Sequence, residues 1–431
     1  MKYQTMKYQK TYQWLEEKCS QIKDLNLRKL FKNCFLSTLT TTVKEESDGS
    51  VYVFTGDIPA MWLRDSSSQI NPYVRLCKID SDMAKTVKGV IKRQFFYIGI
   101  DPYANAFNEA PNGNGHKDIT LRNDWVWERK FEIDSLCYPV WLTEKYFEQT
   151  GDRGIFDESF VKTIKIILDV FETEQNHDLK SGYYFLREGM NSGDTLDRDG
   201  KGCKCKVNGL VWSAFRPSDD KCKYGYLIPS NMFIVVITNF LINVFEKIIP
   251  DSGLLERCRA LRDSIKRGLD ECAVFTDENG VRRYAYETDG FGNAYFVDDA
   301  NMPSLLSLPY LGYCDADSPI YKDTRSFLLS ESNRYFYAGK YARGIGSPHT
   351  PENYIWHLGL IIQGLTSSDD DEKIEVLKML NDTHGGTFYM HEGFDKDDPL
   401  KYTREWFGWA NSLFAEFFMD NFDLFKNIVF D

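Results

Sequence analysis

Carboxylates placed beside flat aromatic side chains are the main chemical signal in this sequence. They concentrate in seven segments, at residues 55–69, 101–108, 124–134, 215–231, 286–303, 344–357 and 389–398. Of the 9 Trp residues, seven lie in or beside polar or acidic sequence of this kind: Trp62, Trp125, Trp127, Trp212, Trp356, Trp406 and Trp409. A sugar ring offers C–H groups on one side and hydroxyls at its rim, which aromatic faces and carboxylates or amides can bind. The pattern therefore indicates a carbohydrate site.

Hydrolysis of a glycosidic bond is the reaction that such a carboxylate-rich site can perform. Two carboxyl groups suffice, because one protonates the departing oxygen while the other activates water or attacks the anomeric carbon. The sequence has neither a Gly-rich nucleotide-binding motif nor a nucleophile elbow, and its histidines lack the H-E-x-x-H spacing of a zinc helix. The residues favour a glycosidase, with a sugar-binding protein as the alternative.

Individual members of the pattern also have plain structural interpretations. The Asp219-Asp220 pair could form a helix N-cap or a solvated turn. His349 could cap a following helix, and Arg64–Asp65 could be a buried ion pair. These interpretations do not explain why aromatic and acidic residues recur together along the whole chain.

The charge of the chain argues against several classes of partner. Lys and Arg number 52 against 64 Asp and Glu, a net charge of −12, and there is no basic stripe for nucleic acid. The longest uninterrupted apolar stretch near the middle, 232–237, is far too short to span a membrane. The first residues, MKYQTMKYQKTYQWLEE, contain no apolar signal-peptide core. We expect no nucleic-acid partner, no membrane contact and a cytoplasmic location.

The 10 cysteines are scattered through the chain, unlike the dense framework of a small secreted domain. Three of them have apolar neighbours and fit as small core residues: Cys34, Cys137 and Cys258. Cys203, Cys205 and Cys222 could hold a metal, although their C-x-C spacing lacks the C-x-x-C pairs of structural zinc. We expect reduced thiols, no metal and no cofactor.

Helical periodicity dominates the elements that must position these residues. Apolar residues recur every three or four positions at 12–40, 70–98, 131–149, 161–171, 231–248, 254–265, 321–329, 351–364, 372–380 and 403–418. Strand signals are few and short, at 50–54, 183–186 and 282–286. Since no segment has the composition of a linker, we predict a single all-α domain over residues 1–431. Its helices would pair into an up-down ring with short β-hairpins in the loops, which converge on the axis at one end.

The segment GDIPAMWLRDS, at residues 56–66, resembles glycoside hydrolase family 125, the metal-independent exo-α-1,6-mannosidases. The similarity extends through residues 101–108, 125–129, 215–220, 298–303, 346–351 and 389–393, which covers nearly the whole chain. The resemblance implies an (α/α)6 barrel. It also implies a hydrolase that removes non-reducing terminal mannose from α-1,6-linked mannosides or N-glycan fragments, with inversion at the anomeric carbon.

Two motifs of that family carry its catalytic carboxyls. The general acid of the FRPSDD motif falls on Asp219, with Asp220 as the alternative, and the general base of the MHEG motif falls on Glu392. Asp219 must carry a proton at the working pH, so its surroundings should disfavour a negative charge. Glu392 must stay ionised and hold a water, with help from His391 or a nearby Arg. Inversion also requires the two carboxyls to lie about 6.5–9.5 Å apart.

Ten further residues are candidates for the mannose pocket. Arg64 and Asp65 are best suited to the mannose hydroxyls, because a guanidinium donates and a carboxylate accepts hydrogen bonds. The other polar candidates are Asn105, Glu128, Asp299, Asn301 and His349. The candidate aromatic walls are Trp62, Trp127 and Trp356, with packing inside the barrel as the alternative for each.

Two alternatives retain part of this interpretation. An (α/α)6 glucosidase or trehalase-like enzyme would share the fold and the carboxyl pair but act on another sugar. A sugar-binding protein would need neither acid nor base, and the presence of both the FRPSDD and MHEG motifs argues against it.

Overall fold

The computed structural model describes residues 7–189 and 193–430. Sixteen helices lie in these ranges: α1 Gln9–Gln21, α2 Leu25–Ser37, α3 Leu63–Val74, α4 Ser81–Ile100, α5 Ile133–Thr150, α6 Glu158–Glu174, α7 His177–Lys180, α8 Asp197–Gly200, α9 Ile228–Asn243, α10 Ser252–Cys272, α11 Leu308–Leu311, α12 Pro319–Leu328, α13 His357–Leu365, α14 Asp370–Thr383, α15 Gly408–Asp420 and α16 Phe422–Phe425. Short π-helical segments extend α2 and α9, at Thr38–Thr42 and Val244–Ile248, and a 3-10 turn follows α5 at Arg153–Ile155.

Small antiparallel sheets occupy the loops. Their strands are β1 Val43–Glu45, β2 Val51–Val53, β3 Met61–Trp62, β4 Ala106–Phe107, β5 Val126–Glu128, β6 Tyr226–Leu227, β7 Val274–Thr276, β8 Arg282–Tyr284, β9 Glu287–Thr288, β10 Ala294–Tyr295, β11 Phe336–Ala338, β12 Arg343–Ile345, β13 Tyr354–Trp356, β14 Gly393–Asp395 and β15 Asp398–Tyr402. Three sheets have three strands, in the orders β3-β4-β5, β10-β9-β6 and β13-β14-β15. The strands β3, β6 and β13 run directly into α3, α9 and α13. These sheets therefore fix where three of the long helices begin.

Twelve of the described helices form a toroid of six pairs, in which α11 is only four residues long; this confirms the (α/α)6 prediction. The inner helices pack in the order α13, α15, α3, α5, α9 and α11. The outer helices α2, α4, α6, α10, α12 and α14 alternate with them along the chain. The segment that leads into α11 packs on α13, since the amide of Ala300 donates to the carbonyl of Gly346 at 3.1 Å and Ala300 lies against Gly359.

Inner and outer helices differ in composition for a physical reason. An inner helix is surrounded by other helices, so every residue of α3 is buried. An outer helix buries only one face, as α10 does with Leu254, Cys258, Leu261 and Ile265. The segment Ile228–Ile248 is long and apolar enough by composition to cross a membrane, but 78% of the apolar 18-residue window within it is buried inside the fold. That burial is expected of the inner helix α9.

Several predicted boundaries differ from those observed. The predicted helical stretch 12–40 holds two helices, because the carboxylate of Asp24 accepts hydrogen bonds from the amides of Asn26 and Leu27 at 2.8 and 2.9 Å and starts α2. The stretch 70–98 likewise covers two helices, the end of α3 and most of α4. The stretch 351–364 begins too early, since β13 precedes α13. The predicted strand 183–186 makes only an isolated bridge, between Ile119 and Leu186.

Candidate active site

A cavity of about 240 Å³ lies where N-terminal ends of inner helices meet. Trp62, Trp356 and Phe407 line it, and they directly precede α3, α13 and α15. Pockets for drug-sized ligands measure about 300–1,000 Å³, so this one suits a group the size of one sugar ring. The lining residues are Thr55, Ile58, Trp62, Arg64, Asp65, Ser218, Asp219, Asn301, His349, Trp356, Glu392, Arg404 and Phe407.

The charges in the cavity match its position in the fold. Three carboxyl side chains line it, Asp65, Asp219 and Glu392, together with the guanidinium groups of Arg64 and Arg404. Helix N-termini carry a partial positive charge that stabilises nearby anions. The inner ring therefore favours carboxylates at this end of the molecule.

Asp219 reaches the cavity from a tight turn rather than from a helix cap. Its φ of 68° is left-handed, a conformation that Asp and Asn tolerate better than most residues. The amide of Asp219 donates to the carbonyl of Arg216 at 2.9 Å, and the amide of Arg216 donates to the carbonyl of Asp220 at 2.8 Å. Glu287 anchors the Arg216 side chain at 2.5 Å, and Lys130 donates to the carbonyl of Asp219 at 2.6 Å. These contacts hold the Asp219 side chain at the cavity.

Two residues predicted to bind the sugar lie behind Asp219 and do not line the cavity. Asn105 is fully buried, and its amide donates to Asp219 at 3.2 Å and to Glu128 at 3.0 Å. Burial alone would raise the pKa of Glu128, but the positive charges of Lys130 and Arg187 lower it to about 2. Glu128 is thus a fixed anion that orients Asn105 toward Asp219.

Arg64 connects the cavity to a buried acidic group. Its Nη1 donates to Glu132 at 2.5 Å and to Asp134 at 3.0 Å, and its Nε lies 3.7 Å from the carboxylate of Asp65. Burial raises the pKa of Asp65 to about 6, against the opposing effect of Arg64 and Arg404. Arg64 and Asp65 are therefore a buried ion pair and part of the cavity lining at once.

Glu392 faces a guanidinium across the cavity wall. The distance from Arg404 Nη1 to Glu392 Oε1 is 3.8 Å. Arg404 also donates to Asp57 at 2.9 Å and to Thr55 at 3.3 Å. His391, the other residue considered as a helper of Glu392, hydrogen-bonds to the carbonyl of Arg404 at 3.1 Å. The arginine thus faces the carboxylate, and the histidine holds the backbone of the arginine.

His349 lies at the rim of the cavity, with 38% of its side chain exposed. Its Nδ1 is 3.6 Å from Asp220 Oδ2. Desolvation lowers the pKa of His349, but the carboxylates of Asp220, Glu392 and Asp219 outweigh it and raise the pKa to about 9. The next helix is α13, whose N-cap is Trp356, so the interpretation of His349 as a helix cap is wrong. Its ring is a cation at the rim.

Asp299 and Asn301 support the turn that carries Asp219. Asp299 is fully buried and accepts a hydrogen bond from Ser218 Oγ at 2.6 Å, and burial raises its pKa to about 6. Asn301 lines the cavity and donates to the carbonyl of Pro217 at 2.8 Å. Both residues fix the two positions that precede Asp219.

The three predicted aromatic walls take different positions. Trp62 and Trp356 line the cavity, and Trp127 does not. The indole of Trp356 is oriented by donating to Thr350 Oγ1 at 2.9 Å. Trp127 packs against a small apolar cluster that contains Trp62. Packing is therefore the observed role of Trp127.

Five lining residues were not among the predicted site residues: Thr55, Ile58, Ser218, Arg404 and Phe407. The first three lie inside segments already noted for their aromatic and acidic residues. Arg404 and Phe407 fall in the stretch 403–418, which is predicted to be a helix, although its Trp406 and Trp409 belong to the aromatic pattern. The sequence TREWFGW at its start, with an arginine beside three aromatics, was the available signal.

No group of three or more His, Cys, Asp or Glu placed to hold a metal occurs in residues 7–189 and 193–430. Cys203 and Cys205 are half-buried, and Cys222 is buried. The three cysteines considered as zinc ligands therefore do not assemble into such a group.

A model of the metal-independent alpha-mannosidases (GH125) matches residues 24–419. The "Meiotically up-regulated gene 157 protein" of Schizosaccharomyces pombe is 38% identical over 434 residues, which cover 95% of this chain and 84% of that protein.

Solved structures agree with this match. A metal-independent alpha mannosidase of Streptococcus pneumoniae, solved as a non-productive complex with alpha-1,6-mannobiose, superposes with a TM-score of 0.94 at 46% identity, covering 96% of this chain and 98% of that one. A GH78 rhamnosidase of Bacillus sp. GL1 superposes with a TM-score of 0.55 at 12% identity, over 93% of this chain and 35% of that one. The second likeness concerns the fold alone.

Proposed function

Because the chain belongs to the metal-independent α-mannosidases of glycoside hydrolase family 125, we propose that it removes single non-reducing terminal mannose residues from α-1,6-linked oligosaccharides with inversion. The observation that carries this proposal is that Asp219 and Glu392 line one cavity of about 240 Å³. That size suits one terminal sugar. The α-1,6 linkage is supported by the mannobiose in the Streptococcus pneumoniae relative.

In the proposed mechanism, Asp219 is the general acid and Glu392 the general base. Glu392 takes a proton from a water as the water oxygen bonds to the anomeric carbon. Asp219 gives its proton to the glycosidic oxygen, so the remaining sugar leaves as an alcohol. One water is consumed, and the configuration at the anomeric carbon inverts.

Asp219 is favoured over Asp220 as the acid by their positions. Asp219 lines the cavity, and Asp220 is not among the lining residues. Asp220 instead pairs with His349 at 3.6 Å. Asp220 thus serves to keep a cation at the rim.

The remaining cavity residues bind and orient the mannose. Asp65 and Arg64 accept from and donate to its hydroxyls, Asn301 and His349 contribute further polar contacts, and the rings of Trp62 and Trp356 form the walls. Arg404 places a positive charge 3.8 Å from the carboxylate of Glu392. Asn105, Glu128 and Asp299 act from behind the cavity by holding Asp219 and its turn.

We also propose a single catalytic domain in the cytoplasm with no membrane or nucleic-acid partner. A single cluster of buried apolar side chains that extends from Tyr8 to Phe425 supports the one domain. The net charge of −12 and the ten unpaired cysteines support the other assignments.

The decisive experiment follows the hydrolysis of α-1,6-mannobiose by proton NMR. We expect β-mannose as the first product, because water attacks the face opposite the departing sugar. First release of α-mannose would overturn inversion. Hydrolysis of aryl α-glucosides or trehalose in place of mannosides would identify a glucosidase, and binding of mannobiose without turnover would identify a sugar-binding protein.

The assignment of the acid is tested with Asp219→Asn. Asn keeps the left-handed turn but donates no proton, so kcat on α-1,6-mannobiose should fall by about 10²–10⁴-fold. An activated substrate such as dinitrophenyl α-mannoside needs little protonation of its leaving group, so its rate should fall much less. Equal losses on both substrates would refute the general-acid role. Glu392→Gln should lose activity on both.

A further inference from the structure

Glu132 is a fully buried carboxyl that sits directly behind Asp219 and has no part in the mechanism above. It precedes α5 as the N-cap, and its side chain is 0% exposed. Its Oε2 accepts hydrogen bonds from Arg64 Nη1 at 2.5 Å and from Ser135 Oγ at 3.2 Å. Its carboxyl also lies within hydrogen-bonding reach of the carboxyl of Asp219.

The carboxyls of Glu132 and Asp219 accept more hydrogen bonds than the amide of Asn105 can donate. Asn105 Oδ1 accepts from the amide of Lys130 at 3.1 Å, which fixes which end of the side chain is the amide. The Asn105 amide then faces Glu128 at 3.0 Å, Asp219 at 3.2 Å and Glu132 at 3.4 Å. An amide has two hydrogens, so the most distant acceptor, Glu132 Oε1, needs another donor.

The local charges also indicate that Glu132 needs a proton. Arg64, the cation that contacts Glu132, is shared with Asp134 at 3.0 Å and Asp65 at 3.7 Å. Burial raises the pKa of Glu132 well above its usual range, and the charges of Asp219 and Asp134 add to this against the effect of Arg64. Glu132 is fully buried and the carboxyl of Asp219 beside it is half-buried. Two carboxyls so placed hold one proton between them, because both cannot be ionised cheaply.

We propose that Glu132 shares one proton with Asp219 and so keeps a proton available to the general acid at neutral pH. This inference rests on the proposed function, since it assumes that Asp219 is the acid. In each turnover the shared proton moves from Asp219 to the glycosidic oxygen, which leaves both carboxyls ionised, with Arg64 on Glu132 at 2.5 Å and Lys130 beside Asp219 to stabilise them until the pair is protonated again. The pair then takes up a proton from solvent, while the proton that Glu392 took from water is released. Glu132 is a positioning residue that acts through Asp219.

The test compares the pH profiles of kcat/KM for wild type and Glu132→Gln on α-1,6-mannobiose. Gln keeps the volume and can still meet Arg64 with its oxygen, but it cannot share a proton and its amide stabilises an ionised Asp219. We therefore expect the alkaline limb of the profile to move to lower pH by about one unit or more. At the acidic end of the profile, where Asp219 is protonated in both proteins, the two rates should converge.

Asp134→Asn is the matched control, since Asp134 contacts the same Arg64 nitrogen at 3.0 Å and is equally buried. It should lower activity without moving the alkaline limb as far. Equal movement in both variants would mean that Glu132 acts only by holding Arg64, and an unmoved limb in Glu132→Gln would refute the shared proton.

The activated substrate separates this inference from the proposed function. Dinitrophenyl α-mannoside needs little acid assistance, so Glu132→Gln should leave the alkaline limb measured with it nearly unchanged. If Asp219→Asn fails to discriminate between the two substrates, the general-acid assignment is wrong. If Asp219→Asn discriminates between the two substrates but Glu132→Gln keeps the wild-type alkaline limb on α-1,6-mannobiose, only the role of Glu132 is wrong.

Discussion

At the scale of single residues, the proposed acid and base have opposite surroundings. The carboxyl of Asp219 shares Asn105 with the carboxyls of Glu128 and Glu132. Glu392 instead faces the guanidinium of Arg404 at 3.8 Å. The proposed acid thus shares one amide with two other carboxyls, and the proposed base faces a guanidinium.

Arg404→Gln tests the electrostatic support of the base. Loss of the guanidinium removes the positive charge that faces Glu392 at 3.8 Å, so kcat/KM on α-1,6-mannobiose should fall by about 10–100-fold. Arg404→Lys keeps the charge and should restore most of the loss. The measurement is kcat/KM of each variant.

Arg257→Gln is the control for this substitution, because Arg257 pairs with Asp169 and Glu172 on the outer surface at 2.6 and 2.8 Å. Its kcat/KM should equal that of wild type. A loss in Arg404→Gln that Arg404→Lys does not restore would show that the guanidinium acts by holding Asp57 and not through its charge.

The sequence could identify the site residues that lie within one continuous motif. Arg64 and Asp65 sit in the segment 56–66 and line the cavity. Asn105 and Glu128 resemble them in type, yet both are buried behind Asp219. Which of several polar residues faces the cavity depends on the packing of loops that lie far apart in sequence, so spacing could not decide it.

At the scale of elements, the sequence predicted the helices but not all of their starts. Apolar periodicity located α10 because an outer helix buries one face. It placed the start near residue 70 rather than at Leu63, because the first turns of α3 carry buried polar side chains such as Arg64 and Ser67. The hydrophobic pattern therefore missed the first two turns of α3, whose side chains belong to the site.

The contact between α15 and α3 is close enough to test with one methyl group. A Cβ on Gly408, the first residue of α15, would lie 2.2 Å from Gln69 Oε1 and 3.1 Å from the carbonyl of Thr55. Gln69 is fully buried and cannot swing into solvent. We expect Gly408→Ala to lower the free energy of unfolding by about 1–3 kcal/mol. Because the amide of Gly408 donates to the cavity residue Thr55 at 2.8 Å, KM for mannobiose should also rise.

Gly99→Ala is the matched control, since Gly99 lies within α4 and a Cβ there would meet nothing within 4 Å. It should leave stability unchanged or raise it by up to about 1 kcal/mol. Urea denaturation measures both variants. Equal stability of Gly408→Ala and wild type would mean that α15 and α3 can separate without cost.

At the scale of the whole molecule, the toroid places buried acids at both ends of its inner helices. Near the C-terminal ends of α3 and α15, Glu416 accepts hydrogen bonds from Asn71 at 2.9 Å and from Tyr310 at 3.0 Å. Burial raises the pKa of Glu416 to about 7; the charge of Asp420 adds to this, and Arg75 opposes it. Unlike the cavity acids, Glu416 lies at the end remote from the helix N-termini, so its effect on stability can be measured without touching the site.

The raised pKa of Glu416 makes stability depend on pH in a definite direction. The folded protein keeps a proton up to about pH 7 that the unfolded chain loses near its ordinary pKa of 4.5. This contribution to stability is therefore complete below pH 4.5 and is lost as the pH rises through 7, a change of about 3 kcal/mol. Glu416→Gln removes the titrating group, so its free energy of unfolding should fall less steeply between pH 4.5 and 8, and it should exceed wild type in stability at pH 8. Glu256→Gln, an exposed position on α10, should keep the wild-type slope, and a wild-type slope in Glu416→Gln would contradict the buried neutral acid.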